Sequence, residues 1–98
     1  MIRHTAVFRL KHPEGSAAEK AFLSALGDLQ KIPAVQNFEI LRQVSPKCEF
    51  TFAVSMVFST QEHYTAYNVH PSHVAFVNQR WLPEVQAFTE IDYVPYEF

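Results

Sequence analysis

The sequence predicts a single α+β domain over residues 1–98, in which four antiparallel strands carry the helices on one face. Three observations predict it. The chain has 98 residues, and a chain of this length buries about two-thirds of the surface it exposes when unfolded, enough for one core. Four segments alternate apolar and polar residues, as half-buried strands do. Between them, apolar residues recur at helical spacing.

The first predicted strand and helix have clear boundaries. Residues 2–10 alternate with a period of two and place on one face Ile2, His4, Ala6, Phe8 and Leu10. Residues 12–15, which include proline and glycine, end the strand. Ser16 and Glu19 have the spacing of a capping box and predict that a helix begins there. Its apolar stripe reaches Ile32, and Pro33 ends it.

The next two predicted strands form an antiparallel hairpin. Residues 37–44 alternate around Phe38, Ile40 and Val44, and a turn follows over residues 46–49. Residues 50–58 place on one face Phe50, Phe52, Val54, Met56 and Phe58. Because the connection between the two strands is short, an antiparallel hairpin is expected.

The rest of the chain completes the fold. Ser59 or Thr60 is predicted to cap a second helix, which ends near His70 because Pro71 cannot continue it. A short helix over residues 72–81 follows, ended by Pro83, and the last strand spans about residues 85–93. The order strand, helix, strand, strand, helix, strand is that of the ferredoxin-like, or split βαβ, arrangement.

The sheet face turned away from the helices is predicted to be half apolar. It carries Thr5, Val7, Arg9, Thr51, Ala53, Ser55 and Val57. Exposed apolar surface of this kind favours association. We therefore expect a homodimer in which two sheets face each other and close a β-barrel.

Composition and charge exclude several classes of function. The net charge is −2 and the eight Lys and Arg residues are scattered, which argues against nucleic-acid binding. The single cysteine, Cys48, excludes an internal disulfide and fits a reducing compartment. No apolar stretch has the length of a signal peptide or a membrane span. The expectation is a cytoplasmic protein with no nucleic-acid or membrane partner.

The candidate functional residues cluster at the corner between the second helix and the short helix. Tyr67 ends the first and His73 lies in the first turn of the second, so both side chains are expected to face one cavity. The positive end of a helix disfavours a protonated imidazole, so His73 is expected to be neutral and able to accept a proton. The hydroxyl of Tyr67 can donate to a developing oxyanion.

Each candidate also has an ordinary structural explanation. His73 is alternatively a helix cap or the partner of a backbone carbonyl, and Tyr67 is alternatively a core aromatic. His4, on the apolar face of the first strand, is either a hydrogen-bonded core residue or part of a cavity wall. His70 is alternatively an N-cap or a surface group. Asp92 is expected to meet a neighbouring strand or a cationic group of the partner subunit.

Metal and phosphate chemistry lack a sequence motif. His70 and His73 are three residues apart, but no second motif with metal-ligand spacing accompanies them. The two glycines cannot form a Gly-rich phosphate loop, and there is no Gly-x-Ser-x-Gly elbow. We therefore predict no metal and no cofactor.

The sequence resembles the stress-responsive A/B barrel (Dabb) family. The best match is residues 66–74, which follow that family's pattern Y-x-x-H-P-x-H-V from Tyr67 to Val74. Residues 2–4 running into 8–11, residues 32–35 and residues 91–93 also fit. The resemblance implies a ferredoxin-like subunit and a homodimeric barrel.

The resemblance also implies a site. In one branch of the family, the plant olivetolic acid cyclase type, a linear polyketide thioester is closed into an aromatic acid by aldol chemistry. The tyrosine and second histidine of the motif are catalytic there, which implies catalytic roles for Tyr67 and His73. The implied ligand-binding residues are His4, Phe8, Leu10, Val54, Met56, Tyr64, His70 and Phe76.

Two functions are open at this point, because many members of that family have no assigned activity. The first is a pocket near His73 that binds a small apolar or aromatic carbonyl compound, with cyclase-like acid–base chemistry. The second is a non-catalytic, stress-associated or accessory homodimer whose histidines are structural. The sequence departs from the cyclase at Asn68, which is aliphatic there, and by one residue in the spacing from residues 81–83 to Asp92. No residue set favours cofactor-free oxygenation or haem handling, which related barrels perform.

Overall fold

A computed structural model describes all 98 residues as one four-stranded antiparallel sheet with helices packed on one face. The strands are β1 (Ile2–Leu10), β2 (Gln36–Arg42), β3 (Phe52–Phe58) and β4 (Val85–Tyr93). The helices are α1 (Ala17–Gly27), followed by a 3-10 turn (Asp28–Lys31), then α2 (Gln61–Val69) and α3 (Pro71–Phe76). A π turn (Val77–Trp81) and a last helical turn, α4 (Leu82–Glu84), lead into β4. This order confirms the predicted ferredoxin-like α+β fold.

The strand order is β2-β3-β1-β4, so β1 lies between β3 and β4. In the register of β1, His4 lies opposite Met56 on β3 and opposite Asp92 on β4. Residues directly opposite each other point to the same face of a sheet. His4, Met56 and Asp92 therefore form a row across the sheet on the face that the helices cover.

The core lies between the sheet and the helices and is rich in aromatic rings. Phe8, Phe22 and Phe58 are all 0% exposed. The ring centroids of Phe8 and Phe22 are 5.9 Å apart, which packs α1 against β1. Complete burial of a side chain of this size contributes about 1.5–3 kcal/mol to folding.

The helices begin where the capping residues predict, with one adjustment at each start. The Ser16 hydroxyl accepts the backbone N–H of Glu19 at 3.2 Å, as in the predicted capping box. The Glu19 carboxylate, however, accepts from the N–H of Gly15 rather than Ser16. Of the two predicted caps of α2, the structure selects Thr60, whose hydroxyl accepts the N–H of His63 at 3.1 Å. None of the helices has the length and apolar character that a membrane span requires.

The two strands of the hairpin are displaced from their predicted bounds. The strand β2 ends at Arg42 instead of Val44, and its start is irregular because Asn37 has a φ of 50°. The strand β3 begins at Phe52 instead of Phe50. The carbonyl of Phe50 accepts from the side chain of Gln43 at 2.7 Å, so a side chain satisfies it instead of a neighbouring strand.

The prediction that Pro83 ends the short helix was wrong. Helical backbone continues through Pro83 to Glu84. Directly before the proline, the N–H of Leu82 donates to the carbonyl of Val77, five residues earlier, so this turn is wider than an α-helical one. A wider turn relieves the clash between a proline ring and the preceding turn of the helix.

The face of the sheet away from the helices is partly apolar, as the sequence predicts. On β4, Ile91 and Tyr93 are 38% and 50% exposed. On β2, Leu41 is 44% exposed. The register places these side chains on the face that includes Thr5 and Val7 of β1.

Candidate functional site

A cavity of about 260 Å³ lies between the sheet and the corner where α2 meets α3. Eleven of its 15 lining residues are hydrophobic, and its polar lining comes from His4, Asn68, His73 and Glu90. The hydrophobic lining is Ala6, Leu26, Leu29, Val54, Met56, Tyr67, Phe76, Val77, Trp81, Leu82 and Phe88. A concave apolar site with a few convergent polar groups is the usual form of a small-molecule site.

Six of the ten residues that the sequence nominates line this cavity: His4, Val54, Met56, Tyr67, His73 and Phe76. Phe8 and Leu10 are buried in the core but do not line the cavity. The ring of Phe8 packs against Trp81, with centroids 5.0 Å apart, and Trp81 is the residue of this pair that reaches the cavity.

Tyr64 and His70 also lie outside the lining. Tyr64 is connected to the cavity through His4, whose Nδ1 lies 2.9 Å from the Tyr64 hydroxyl. His70 caps α3, where its Nδ1 accepts the N–H of Ser72 at 3.1 Å. The same histidine lines a separate hollow of about 300 Å³ together with Asp28 and Ser72.

The corner at Pro71 brings Tyr67 and His73 together. His70 is extended, with a φ of −62° and a ψ of 134°, and Pro71 occupies the first turn of α3. Proline suits that position because it has no N–H, and an N–H in the first turn has no acceptor within the helix. As a result, the rings of Tyr67 and His73 lie with their centroids 4.5 Å apart.

His73 has one bonded and one free ring nitrogen. Its Nδ1 lies 3.1 Å from the carbonyl oxygen of Asn68, and because a carbonyl only accepts, Nδ1 carries the hydrogen. The other nitrogen, Nε2, forms no hydrogen bond within the protein. Burial lowers the pKa of His73, and the nearby His4 and His70 lower it further, against the opposing effects of Asn68 and Glu90. A neutral ring with a free Nε2 is the form that accepts a proton.

Tyr67 presents a free hydroxyl. The residue is only 2% exposed, yet its hydroxyl has no hydrogen-bond partner within the protein. The hydroxyl is not fully enclosed either, so part of its surface remains accessible. Burial, and then the charge of Glu90, raise the pKa of Tyr67, so the hydroxyl keeps its proton and can donate it in a hydrogen bond.

His4 is held by a polar network at the edge of the cavity. Its Nδ1 lies 2.6 Å from Asp92 Oδ1, and the Tyr64 hydroxyl donates to Asp92 Oδ2 at 2.7 Å. Burial, and then the hydrogen bond to Asp92, raise the pKa of Tyr64, which therefore remains a donor. Glu90 Oε1 is 3.7 Å from the same histidine nitrogen.

The contribution of β4 to the cavity was not predicted from the sequence. Phe88 and Glu90 line it, and Asp92 holds His4. A signal was present, because these three residues alternate on one face of the predicted last strand. What was lacking was the strand register, which places that face beside the face of β1 that carries His4.

The group His4, Glu90 and Asp92 resembles a metal-ligand set, since one ligand atom from each lies within 4.8 Å of the others. Two observations favour a hydrogen-bond network instead. The 2.6 Å separation of His4 Nδ1 and Asp92 Oδ1 is that of a hydrogen bond. The side chains of Glu90 and Asp92 are also 51% and 39% exposed, so water can solvate their charges.

The sequence matches one known protein family. The model of the stress responsive A/B barrel domain, Dabb, matches residues 2–95. A solved Dabb family protein with a ferredoxin-like fold, from Mesorhizobium loti, is 56% identical with a TM-score of 0.95, and the alignment covers 98% of this chain and 97% of that one. Among curated proteins, none is significantly similar to this sequence.

Two more distant structures share the fold. A dimeric ferredoxin-like protein of unknown function from Thermobifida fusca is 23% identical, with a TM-score of 0.78 over 96% of this chain and 90% of that one. A hydroxynitrile lyase from Passiflora edulis is 18% identical, with a TM-score of 0.86 over 99% of this chain and 94% of that one. At these identities the similarity is one of fold alone.

Proposed function

Because the chain belongs to the stress responsive A/B barrel (Dabb) family, we propose that its cavity binds a small apolar or aromatic carbonyl compound and catalyses proton transfer on it without a cofactor. The observation that carries this proposal is a pair of free groups in one apolar cavity. Tyr67 presents an unpartnered hydroxyl and His73 an unpartnered Nε2, with their rings 4.5 Å apart. One group can donate a hydrogen bond and the other can accept a proton.

The dimensions of the cavity limit the ligand. Its volume of about 260 Å³ is below the range of about 300–1,000 Å³ that is usual for drug-sized ligands. A single aromatic ring with a short carbonyl-bearing substituent suits this space. The rings of Phe76, Trp81 and Phe88 supply apolar contacts, and the ring of Tyr67 lies near those of both His4 and His73.

The proposed chemistry starts with removal of a proton. Nε2 of His73 takes a proton from the carbon next to the carbonyl, and the electrons of the broken C–H bond move onto the carbonyl oxygen. Tyr67 donates a hydrogen bond to that oxygen as its charge develops. A positioned general base of this kind accelerates a reaction by about 10²–10⁴-fold. The resulting enolate carbon can then attack a second carbonyl, as in an aldol ring closure.

The proposal includes a homodimer that forms through the open face of the sheet. Apolar side chains on that face, among them Leu41 and Ile91, are partly exposed in the single subunit. The T. fusca relative with the same fold is described as dimeric. Burial of two such faces against each other would remove this apolar surface from water.

Binding is tested by titrating the protein with benzaldehyde and with benzoate, followed by NMR of the histidine rings and by fluorescence of Trp81, the single tryptophan. We expect shifts at His73 and a change in Trp81 emission. The exposed His63 serves as an internal control whose signals should not move. Unchanged His73 and Trp81 signals at millimolar ligand would overturn the binding proposal.

Catalysis is tested separately, by the Kemp elimination of nitrobenzisoxazole, which reports a base in an apolar pocket. The His73→Gln variant should lose about 10²-fold or more of the rate, and the His63→Gln variant should retain it. If ligands bind but the elimination does not depend on His73, the chain is a non-catalytic accessory protein whose histidines are structural.

A further inference from the structure

We propose that Asp92 and Tyr64 hold His4 as a second proton-transfer group of the cavity, which delivers a proton to the substrate oxygen while His73 removes one from carbon. This inference rests on the proposed function, because it assigns the acid partner of the same site. His4 would be a catalytic residue, and Asp92 and Tyr64 would be positioning residues that act through it.

The first support is the arrangement of hydrogen bonds around Asp92. One carboxylate oxygen, Oδ1, lies 2.6 Å from His4 Nδ1, and the other, Oδ2, accepts from the Tyr64 hydroxyl at 2.7 Å. Because a carboxylate only accepts, Nδ1 of His4 must carry a hydrogen. Asp92 thus fixes the orientation and the tautomer of the ring, as the aspartate does in a Ser-His-Asp triad.

The second support is the position of the remaining nitrogen. The side chain of His4 is 9% exposed and lines the cavity. Its Nε2 has no hydrogen-bond partner within the protein and is not fully enclosed. A histidine with a purely structural role in a core would have both nitrogens satisfied. Here one side of the ring is fixed and the other is free.

The third support is the distance between the three groups. The ring centroid of Tyr67 is 6.1 Å from that of His4 and 4.5 Å from that of His73. The two histidines therefore approach the same tyrosine, one from β1 and one from α3. A substrate oxygen that accepts from Tyr67 would lie within reach of His4, and the neighbouring carbon within reach of His73.

The surroundings of the two histidines differ in charge. His4 faces two carboxylates of β4, Asp92 and Glu90, together with the Tyr64 hydroxyl of α2 and the apolar Met56 of β3. His73 lies beside the carbonyl of Asn68 and the ring of Tyr67, and Glu90, His4 and His70 also act on it electrostatically. Two carboxylates thus lie beside the ring of His4, whereas a carbonyl and an aromatic ring lie beside that of His73.

The proton transfers balance. When both nitrogens of His4 carry hydrogens, Nε2–H gives its proton to the enolate oxygen, while the hydrogen on Nδ1 stays on the ring and remains donated to Asp92. In the same step the C–H bond of the substrate breaks, its electrons move to the oxygen, and Nε2 of His73 takes the proton. The product is an enol, with His4 neutral and His73 protonated. Exchange with water, or the reverse reaction, restores both rings.

The test begins with the tautomer of His4, measured by nitrogen NMR of the histidine rings. In the native chain we expect hydrogen on Nδ1. In the Asp92→Leu variant, which has lost the acceptor, the Nε2–H tautomer should become populated. Asp28→Leu is the control, because Asp28 pairs with Lys31 on the surface and is not among the groups around His4. The same His4 tautomer in both variants would overturn the positioning role.

The second part compares two probe reactions. Exchange of the methyl hydrogens of acetophenone with deuterium requires both a base at carbon and an acid at oxygen, whereas the Kemp elimination mainly requires the base. We expect His4→Gln and Asp92→Asn to slow the exchange at least about tenfold more than they slow the elimination. Asp92→Glu should recover part of the exchange. The Asp92 side chain is 39% exposed, so the substitutions at Asp92 open no cavity in the core.

The outcomes separate the two proposals. If the native chain catalyses neither reaction, the proposed function fails. If it catalyses both, and the variants of His4 and Asp92 slow the two reactions equally or not at all, only the role of His4 fails. If the variants selectively slow the exchange while Asp92→Glu recovers part of it, the proposal stands.

Discussion

The ring of His73 lies 4.5 Å from the ring of Tyr67, although one belongs to α3 and the other to α2. The proline corner produces this contact, because it ends one helix and begins the next without a loop. The contact places a proton acceptor beside a hydroxyl donor at one end of an apolar cavity. Substitutions at this corner therefore test structure and function together.

The two tyrosines of α2 should respond differently to loss of the hydroxyl. Tyr67 has no internal hydrogen bond, so Tyr67→Phe should change the free energy of unfolding by less than about 0.5 kcal/mol. Tyr64 donates to Asp92 at 2.7 Å, so Tyr64→Phe should cost about 1 kcal/mol. Urea unfolding measures both.

In acetophenone exchange we expect Tyr67→Phe to have the larger effect of the two substitutions. Loss of the Tyr67 hydroxyl should slow acetophenone exchange by about 10²-fold, the usual effect of losing an oxyanion donor. If Tyr67→Phe proves as destabilising as Tyr64→Phe and leaves the exchange unaffected, Tyr67 is a structural aromatic.

The lowered pKa of His73 gives the stability of the protein a pH dependence. An ordinary histidine titrates near pH 6.5, and the folded ring titrates below that. As the pH falls through this window, the unfolded chain binds a proton first, so the free energy of unfolding decreases. Below the folded pKa both states are protonated and no further loss occurs. Asn68, His4, His70 and Glu90 share in the effect, and the ring of Tyr67 packs against His73.

The measurement is urea unfolding as a function of pH for the native chain and for two variants. His73→Gln has no ring to titrate, so its stability should decrease less between about pH 7 and pH 5 than that of the native chain. His63→Gln, altered at an exposed histidine, should follow the native curve. A His73→Gln curve parallel to the native one would contradict the lowered pKa.

The fold was predictable because its signals are local. The alternation in residues 2–10, the cap at Ser16 and the break at Pro71 each act within a few residues, and the structure bears out each of them. The strand and helix bounds were predicted wrongly where a side chain replaces a backbone hydrogen-bond partner or where a helical turn widens to include a proline. Gln43 satisfies the carbonyl of Phe50 and delays β3, and a wide turn lets the helix include Pro83.

The candidate site was only partly predictable, because it depends on register. Tyr67 and His73 are close in sequence, so a single corner suffices to bring them together. The pairing of His4 with Asp92 joins residues that are 88 positions apart, near opposite ends of the chain. Nothing in the sequence states how β1 and β4 align, and a shift of one residue would move Asp92 to the other face.

The start of α2 provides a test of the capping assignment. Thr60 accepts the N–H of His63, whereas the hydroxyl of Ser59 accepts from the side chain of Gln36 on the surface. We expect Thr60→Ala to reduce the free energy of unfolding by about 1 kcal/mol. Ser59→Ala should change it by less than about 0.5 kcal/mol. Equal losses in the two variants would show that both residues contribute to the cap.

The open sheet face provides the test of the dimer. Ile91 lies at the edge of that face and is 38% exposed in the single subunit. In a dimer formed through this face, Ile91→Glu would place a charge in an apolar interface without a partner, which is costly. At micromolar concentration we expect the native chain to scatter light as a dimer and this variant to scatter as a monomer. Val44→Glu is the matched control, because Val44 is 86% exposed outside the strands and its substitution adds the same charge. A native chain that scatters as a monomer, or an Ile91→Glu variant as dimeric as Val44→Glu, would show that this face is not the interface.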